Sequence, residues 1–385
     1  MRNSYVNIED YRRRARRNLP RVLFDYLDGG ANGESTLSRN CADYDRWVLR
    51  GRVLGGVSAV DLATTFFGDT HRLPLMLGPI GFAGMMARRG ELVAAKVAGE
   101  CGIAQCLSTF SVCSVEDVAA VRKGPLYFQL YMLRNRALTE NLLDRARAAG
   151  IKTLIWTVDT PVTPRRERDE RNGFRARRVP SVRLLVDVLR HPAWLGWLMA
   201  DGIPRLGTIS RYPELGRWVM DQSVGLGQQI DPDSTWEAMR WLRVAWSGRL
   251  VVKGIMSADD ARRALDCGAD GLMVSNHGGR QLDPAASTIR VLPEIARAVG
   301  SDADVVLDGG IRRGADVIKA IALGASGVAL GRAYVYGLAA CGAVGVAGVI
   351  ELFRSEIEAS LILMGVKSIA ELRGLGEQVL ESARS

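Results

Sequence analysis

Histidine is almost missing from this chain: His71, His191 and His277 are the only three in 385 residues. A histidine-rich metal centre is thereby excluded, and any imidazole chemistry must come from one of these three. The six cysteines (Cys41, Cys101, Cys106, Cys113, Cys267, Cys341) form no CxxC pair and show no zinc-ligand spacing. They are expected to be reduced, mostly buried thiols in a cytosolic compartment. No secretory signal is expected, because Asn7-Ile8-Glu9-Asp10-Tyr11 occupies the place of an apolar h-region. Proline is sparse, at 13 residues against 42 glycines, while 48% of the chain is hydrophobic and 24% charged. That balance excludes fibrous, collagen-like and wholly disordered chains. Long apolar runs are scarce as well. The stretch 333–350 is uncharged but carries Gly337, Gly342, Gly345 and Gly348, and it follows a core strand directly. A loop and helix packed on a soluble domain are expected there.

What is present is an alternation. Short apolar runs lie at 75–78, 104–108, 126–131, 153–159, 250–253, 271–275, 304–308 and 327–331. Helical patterns separate them, for example 91–102, 138–150, 258–268 and 314–324, several ending in Gly. Such alternation predicts parallel strands with right-handed crossovers, and eight units predict an α/β fold of the (β/α)8 (TIM) barrel type. A doubly wound sheet is disfavoured, because no GxGxxG follows the first strand. Two segments fall outside the repeat: an N-terminal helical lead-in to about residue 70, starting rich in arginine, and a long insertion after strand 4, at 176–232. Length alone would permit two or three domains. One barrel domain over 1–385, insertion included, accounts for it.

The chemistry-bearing residues cluster at strand ends. Gly81, Ser108, Gln129, Tyr131, Thr157, Asp159, Lys253, His277, Arg280, Asp308, Gly310 and Arg332 all sit at or just past predicted strand C-termini. In a barrel those ends converge on one face. The run Ser275-Asn276-His277-Gly278-Gly279-Arg280-Gln281-Leu282-Asp283 offers an imidazole base and a guanidinium fork matched to a carboxylate. Asp308-Gly309-Gly310-Ile311-Arg312 and Gly331-Arg332 follow strands seven and eight. Glycine-loop amides and arginines there form an anion site of the kind that barrels use for a cofactor phosphate. The net charge of +9 points to an anionic partner or surface.

With these residues in view, the chain resembles the FMN-dependent L-2-hydroxy acid oxidases and dehydrogenases, relatives of glycolate oxidase, L-lactate dehydrogenase and mandelate dehydrogenase. The resemblance spans nearly the whole chain, from Leu19-Pro20 and Asp25-Tyr26 to the helices after Arg332. It rests on SNHGGRQLD at 275–283, FQLY at 128–131 and DGGIRRG at 308–314. It implies FMN as cofactor, cradled by Pro79, Ile80 and Gly81 and by Ser108, Gln129 and Thr157, with Ser275 in the same set. Lys253 matches the lysine near the flavin pyrimidine. Asp308, Gly309, Gly310, Arg312, Gly331 and Arg332 match the ribityl and phosphate site. By the same resemblance Tyr26, Arg166 and Arg280 hold the substrate carboxylate, and Tyr131 contacts the substrate oxygen. His277 is the base, and Asp159 stabilises its imidazolium. The resemblance further implies a small 2-hydroxy acid as substrate and a homo-oligomer, often a tetramer.

Departures narrow the branch. Gly81 stands where oxygen-using members commonly carry Ala, which resembles the dehydrogenases that reduce a membrane quinone or another carrier. Phe110 replaces the Trp of plant glycolate oxidase, so a glycolate-sized pocket is not expected. No cytochrome b5-like extension precedes the barrel, so a flavocytochrome is not expected. In the insertion, Arg175, Arg177, Arg178, Arg183 and Arg190 interleave with Val182, Leu184, Leu185, Val188 and Leu189, ahead of Trp194-Leu195-Gly196-Trp197-Leu198-Met199. This reads as a segment dipping into anionic lipid at the cytoplasmic face of the cell membrane. A lid or an oligomer contact is the alternative. No nucleic-acid recognition motif is present, and no such partner is expected. Ala87-Arg88-Arg89-Gly90 and 107–113 resemble respiratory lactate dehydrogenases, whereas Arg166-Glu167-Arg168-Asp169 resembles the mandelate branch. L-lactate and (S)-mandelate both stay open, as do a soluble peroxide-producing oxidase and a non-catalytic flavin-binding protein at the membrane. Retention of Tyr26, Tyr131, Asp159, Arg166, His277 and Arg280 together argues against the last.

Overall fold

A strand covered on both faces must be apolar along its whole length, and the short runs above satisfy this condition. In the computed structural model, which describes residues 5–174, 182–202 and 204–383, they form eight parallel strands. These are β1 (Leu75–Leu77), β2 (Ala104–Ser108), β3 (Leu126–Leu130), β4 (Thr153–Thr157), β5 (Arg249–Ile255), β6 (Gly271–Val274), β7 (Asp304–Asp308) and β8 (Gly327–Leu330). Each pairs with its neighbours in sequence, and β8 closes on β1 through Val328↔Leu75 and Leu330↔Leu77. Every residue of β2, β3 and β4 is buried. The runs expected at 126–131, 153–159 and 327–331 extend past the paired strands, because their last residues have left the ladder for the loops of one face.

The two ends of the barrel are made differently. Ahead of β1, a hairpin of Thr64–Phe66 and Asp69–His71 presents Phe66 and Phe67 to the barrel interior. There they pack with Met76, Cys106, Tyr127, Ile155, Val251, Met273, Val306 and Ala329, one from each strand. Burial of each phenyl ring stabilises the closed end by about 1.5–3 kcal/mol. His71 stacks on Phe66 at 3.9 Å and is fully buried in this plug, far from the polar strand ends. The opposite, C-terminal end is left to polar side chains.

The lead-in is helical, as expected: Ile8–Asn18, Arg21–Asp28 and Ser35–Ala42. Of the loop and packed helix expected within 333–350, the loop reduces to a two-residue break between helical stretches. Two helical stretches run from Arg332 to Met364 and meet at a break where Cys341 and Gly342 (φ +58) leave helical geometry. Together they are long and apolar enough to cross a membrane by composition, yet 67% of their most apolar window is buried in the fold. All six cysteines are free: Cys106, Cys113 and Cys267 are buried, Cys101 and Cys341 partly so, and Cys41 is exposed.

After β4 comes helix Glu167–Asn172, and the insertion then contributes helices Val182–Leu189, Pro192–Asp201 and Val219–Gln229. Arg175, Arg177 and Arg178 of its basic run lie outside the described residues, as does the side chain of Arg183. Trp194 is buried and donates its indole N–H to the Met85 carbonyl at 2.9 Å. Asp187 accepts the Arg21 amide at 2.6 Å. The insertion is thus fastened both to the short Ala83–Met86 helix after β1 and to the start of the Arg21–Asp28 helix.

Candidate active site

The C-terminal ends of β2 to β5 present a continuous polar rung. Ser108 Oγ donates to Gln129 Oε1 at 3.1 Å, and Gln129 Nε2 donates to Thr157 Oγ1 at 2.9 Å. Strand register sets this order, with Ser108↔Gln129 and Thr157↔Lys253 paired directly. Lys253 Nζ donates to Ser275 Oγ at 2.8 Å and lies 3.4 Å from Asp308 Oδ2. Burial opposes its charge, but Asp308 and Asp159 outweigh that effect and raise its pKa, so a full cation sits in the cavity wall.

His277 follows β6 in the left-handed region (φ +59), a conformation uncommon for a residue with Cβ. Its amide donates to Ser275 Oγ at 3.1 Å. Its Nδ1 pairs with Asp159 Oδ1 at 3.0 Å, which assigns the proton to Nδ1 and leaves the Nε2 lone pair for the cavity. Burial is the largest influence on His277 and lowers its pKa; Asp159 works the other way and Lys253 adds to the lowering. The imidazole is therefore neutral at pH 7, as a base must be. Burial would raise the Asp159 carboxyl, but His277 and Lys253 hold it below the usual range. Gly254 makes this approach possible: β5 is irregular between Lys253 and Ile255, Gly254 adopts φ +114, and a Cβ there would lie 2.8 Å from that of Asp159.

Arg280 is held by one edge. Its Nη1 donates to the carbonyls of Tyr26 (2.5 Å) and Gly29 (2.9 Å), and its guanidinium lies 4.7 Å from the Tyr26 ring centroid. Its Nη2 is buried without a protein acceptor. Arg166, the residue that opens the Glu167–Asn172 helix, lines the same cavity with Tyr26, Tyr131 and His277. Burial pushes the Tyr131 phenol up, so it stays a hydrogen-bond donor at any physiological pH. The substrate-facing residues expected from sequence are thus brought together.

So are those expected at a phosphate. Arg332 spends its donors on the carbonyls of Leu27, Gly278 and Gly29, at 3.1, 2.9 and 2.8 Å, and Arg312 Nη1 on the Ile311 carbonyl. Neither meets a carboxylate among the described residues. Burial, together with Arg280 and Arg312, lowers Arg332 to about 10. Gly309 and Gly310 both take positive φ, and a Cβ on Gly310 would lie 1.7 Å from the Asn40 carbonyl. Crowded guanidiniums beside a glycine loop fit a dianionic phosphate, and the orphaned Asp308 Oδ1 fits a ribityl hydroxyl. The cavity that joins both halves measures about 470 Å3 and is also lined by Pro79, Ile80, Gly81, Ser108, Gln129, Thr157, Lys253, Asp308 and Gly331. Ser275 stands just behind, joined to Lys253 and to Asp308 (2.9 Å).

Several lining residues escaped the reading from sequence. Ser223, Val224, Gly227 and Gln228, on one face of the Val219–Gln229 helix, close the cavity from the end of the insertion. Their i, i+1, i+4, i+5 spacing was the available signal. Gln281 was quoted without a role; its Nε2 donates to the carbonyls of Asp159 (2.7 Å) and Val162 (3.1 Å).

Comparison with known proteins agrees with this geometry. The family model described as FMN-dependent dehydrogenase matches residues 15–377. An L-lactate dehydrogenase of Chromohalobacter salexigens is 46% identical over 364 residues, covering 94% of this chain and 93% of the relative. One from Caulobacter vibrioides is 47% identical over 366 residues, covering 94% and 95%. Among solved structures, the monotopic membrane protein (S)-mandelate dehydrogenase superposes with a TM-score of 0.93 at 37% identity, covering 99% of this chain and 100% of that one. An eight-stranded barrel whose C-terminal face gathers a polar rung, an arginine-lined glycine loop and a His–Asp pair thus belongs to the FMN-dependent dehydrogenases, with FMN as its cofactor.

Proposed function

We propose that this enzyme oxidises an L-2-hydroxy acid to the 2-oxo acid at a membrane surface, with L-lactate the first candidate and (S)-mandelate the second. The observation that carries this reading is the convergence on one cavity of the His277–Asp159 pair with Arg280, whose Nη2 is buried without a protein acceptor. In this reading Arg280, Arg166 and Tyr26 bind the substrate carboxylate and neutralise charge next to the reacting carbon. Tyr131 donates to the substrate oxygen. His277 Nε2 takes the proton, and Asp159 stabilises the resulting imidazolium across the 3.0 Å contact. FMN, when bound, supplies the two-electron acceptor. Pro79, Ile80, Gly81, Ser108, Gln129, Thr157, Lys253 and Ser275 would hold its ring, and Asp308 to Arg312 with Gly331 and Arg332 its ribityl phosphate. L-lactate stands first because the relatives named for it are 46% identical along almost the whole chain, against 37% for the mandelate enzyme.

The membrane part of the reading rests on the insertion. Val182, Leu185, Val186 and Leu189 form a stripe at i, i+3, i+4 and i+7, and all four are exposed, as is Met199. Such a stripe suits the boundary of headgroups and acyl chains. A structural relative is itself described as monotopic. The chain then works as one catalytic domain over 1–385, tetrameric as the resemblance implies. It sits at the cytoplasmic face with 176–232 toward lipid and a quinone as final oxidant. Anaerobic mixing of the yellow protein with L-lactate, (S)-mandelate, glycolate and longer 2-hydroxy acids tests the chemistry. Bleaching by L-lactate or mandelate is expected, and a flavin that stays oxidised with every acid refutes it. Rapid peroxide formation in air, with no other acceptor present, would favour the oxidase.

A further inference from the structure

Asp28 takes no part in the chemistry above, yet four hydrogen bonds converge on it in a buried position. Arg12 binds it through both oxygens, Nε to Oδ1 at 2.6 Å and Nη2 to Oδ2 at 2.8 Å. Arg168 Nη1 reaches Oδ2 at 2.9 Å, and the Tyr336 hydroxyl donates to Oδ1 at 2.7 Å. Asp28 closes the Arg21–Asp28 helix, whose last carbonyls have no helical donor. Those carbonyls are put to use. Tyr26 and Gly29 accept from Arg280, and Leu27 and Gly29 accept from Arg332. The guanidinium facing the substrate carboxylate and the one facing the cofactor phosphate therefore lean on the peptides either side of Asp28. Its partner Arg168 lies two residues beyond Arg166 on the Glu167–Asn172 helix and also pairs with Glu34.

We propose that Asp28 is a positioning residue that ties the carboxylate clamp (Tyr26, Arg166, Arg280) and the phosphate arginine Arg332 into one unit. The inference rests on the substrate clamp assigned above. It divides the work: Arg168 secures the helix that Arg166 opens, whereas Asp28 acts on both ends of the cavity through the 26–29 backbone. A residue important only for folding would lower the melting temperature and leave both affinities of the folded protein unchanged.

The test uses FMN-loaded wild type, Asp28→Asn and Arg168→Gln, with thermal melts to establish folding. FMN affinity is read by fluorescence, and oxalate affinity by its perturbation of the flavin spectrum. KM and the saturating rate of anaerobic flavin reduction are read separately. Arg168→Gln should weaken oxalate and raise KM by about tenfold, a charged hydrogen bond's worth, with FMN affinity and saturating rate within about threefold of wild type. Asp28→Asn should weaken both oxalate and FMN by at least about tenfold. Wild-type FMN and oxalate affinity in folded Asp28→Asn overturns the proposal, and so does unchanged oxalate binding in Arg168→Gln should Asp28→Asn not fold. Wild-type protein that binds no oxalate would defeat the functional reading instead. The FMN affinity of Asp28→Asn then decides the role of Asp28 alone.

Discussion

Asp159→Asn is the sharpest perturbation of the proposed base, because it changes charge and proton position without changing shape. In the native pair Nδ1 donates to a carboxylate 3.0 Å away. An imidazolium formed during proton abstraction is stabilised across that contact by about 4 kcal/mol, taking unit charges some 4 Å apart and an effective dielectric of 20. Loss of that stabilisation slows the step by about 10^3, at 1.36 kcal/mol per decade. The asparagine adds a second effect. Its amide can donate to Nδ1, moving the imidazole proton to Nε2 and removing the lone pair that faces the cavity.

The two effects separate by comparison with Asp159→Ala, which removes the charge but imposes no tautomer. Stopped-flow reduction of the flavin under anaerobic conditions, followed against pH, reads both. For wild type the rate should rise with pH through a value below the ordinary histidine range, because burial lowers His277 further than Asp159 raises it. Removing Asp159 takes away a group that raises the His277 pKa, so the profile shifts to lower pH while its plateau falls. Asp159→Asn should be the slower of the two variants. A plateau within threefold of wild type, or a shift to higher pH, would refute the assignment of His277 as base with Asp159 as its counter-charge.

Three further outcomes follow from the same structure. His277→Ala should retain FMN yet lose flavin reduction by several orders of magnitude; near-normal reduction by substrate would remove His277 from the mechanism. Gly254→Ala places a Cβ against Asp159 at φ +114, so the melting temperature should drop by several degrees and reduction should slow; a neutral substitution would mean that the β5 irregularity is incidental. Leu185→Glu with Leu189→Glu should release the protein from anionic vesicles in a flotation assay while leaving dye-linked reduction intact, each leucine contributing about 1.5–3 kcal/mol when fully buried; vesicle binding equal to wild type would exclude that stripe as the contact.

Most of the barrel was legible because parallel strands covered on both sides are apolar runs of fixed length, and Gly-ended helices punctuate them. The strand ends were legible for a chemical reason: Lys253, His277, Asp308 and Arg332 interrupt apolar sequence at positions where burial without purpose would be unfavourable. What stayed hidden depends on contacts remote in sequence. Asp28 looks like an ordinary helix-terminal acid until Arg12, Arg168 and Tyr336 arrive from positions up to 308 residues away. Phe66 and Phe67 precede the first barrel strand in sequence, and only the folded chain brings them in as the plug of the barrel. In the 333–350 stretch the glycines signalled a break, and one of them, Gly342, makes it at φ +58; the others lie in helical stretches on either side.

The insertion carries features that fit both a lid and a lipid contact, which is why composition alone could not decide between them. Its outer face carries the exposed 182, 185, 186, 189 stripe, and its returning helix puts Ser223, Val224, Gly227 and Gln228 into the cavity wall. Between these two faces the chain is pinned by Trp194 to Met85, just past the turn at Gly81, and by Asp187 to Arg21, at the head of the helix that carries Tyr26. Both fastenings use one polar partner from the insertion and one backbone group from the barrel or lead-in. They hold position whatever covers the outer stripe. A segment that only gated the cavity would not need four large apolar side chains exposed outside its lining, and a segment that only anchored would not need to line it. One connection of fixed geometry serves both ends when the oxidant is dissolved in lipid and the acid in water, because the cavity is then held at the boundary between them.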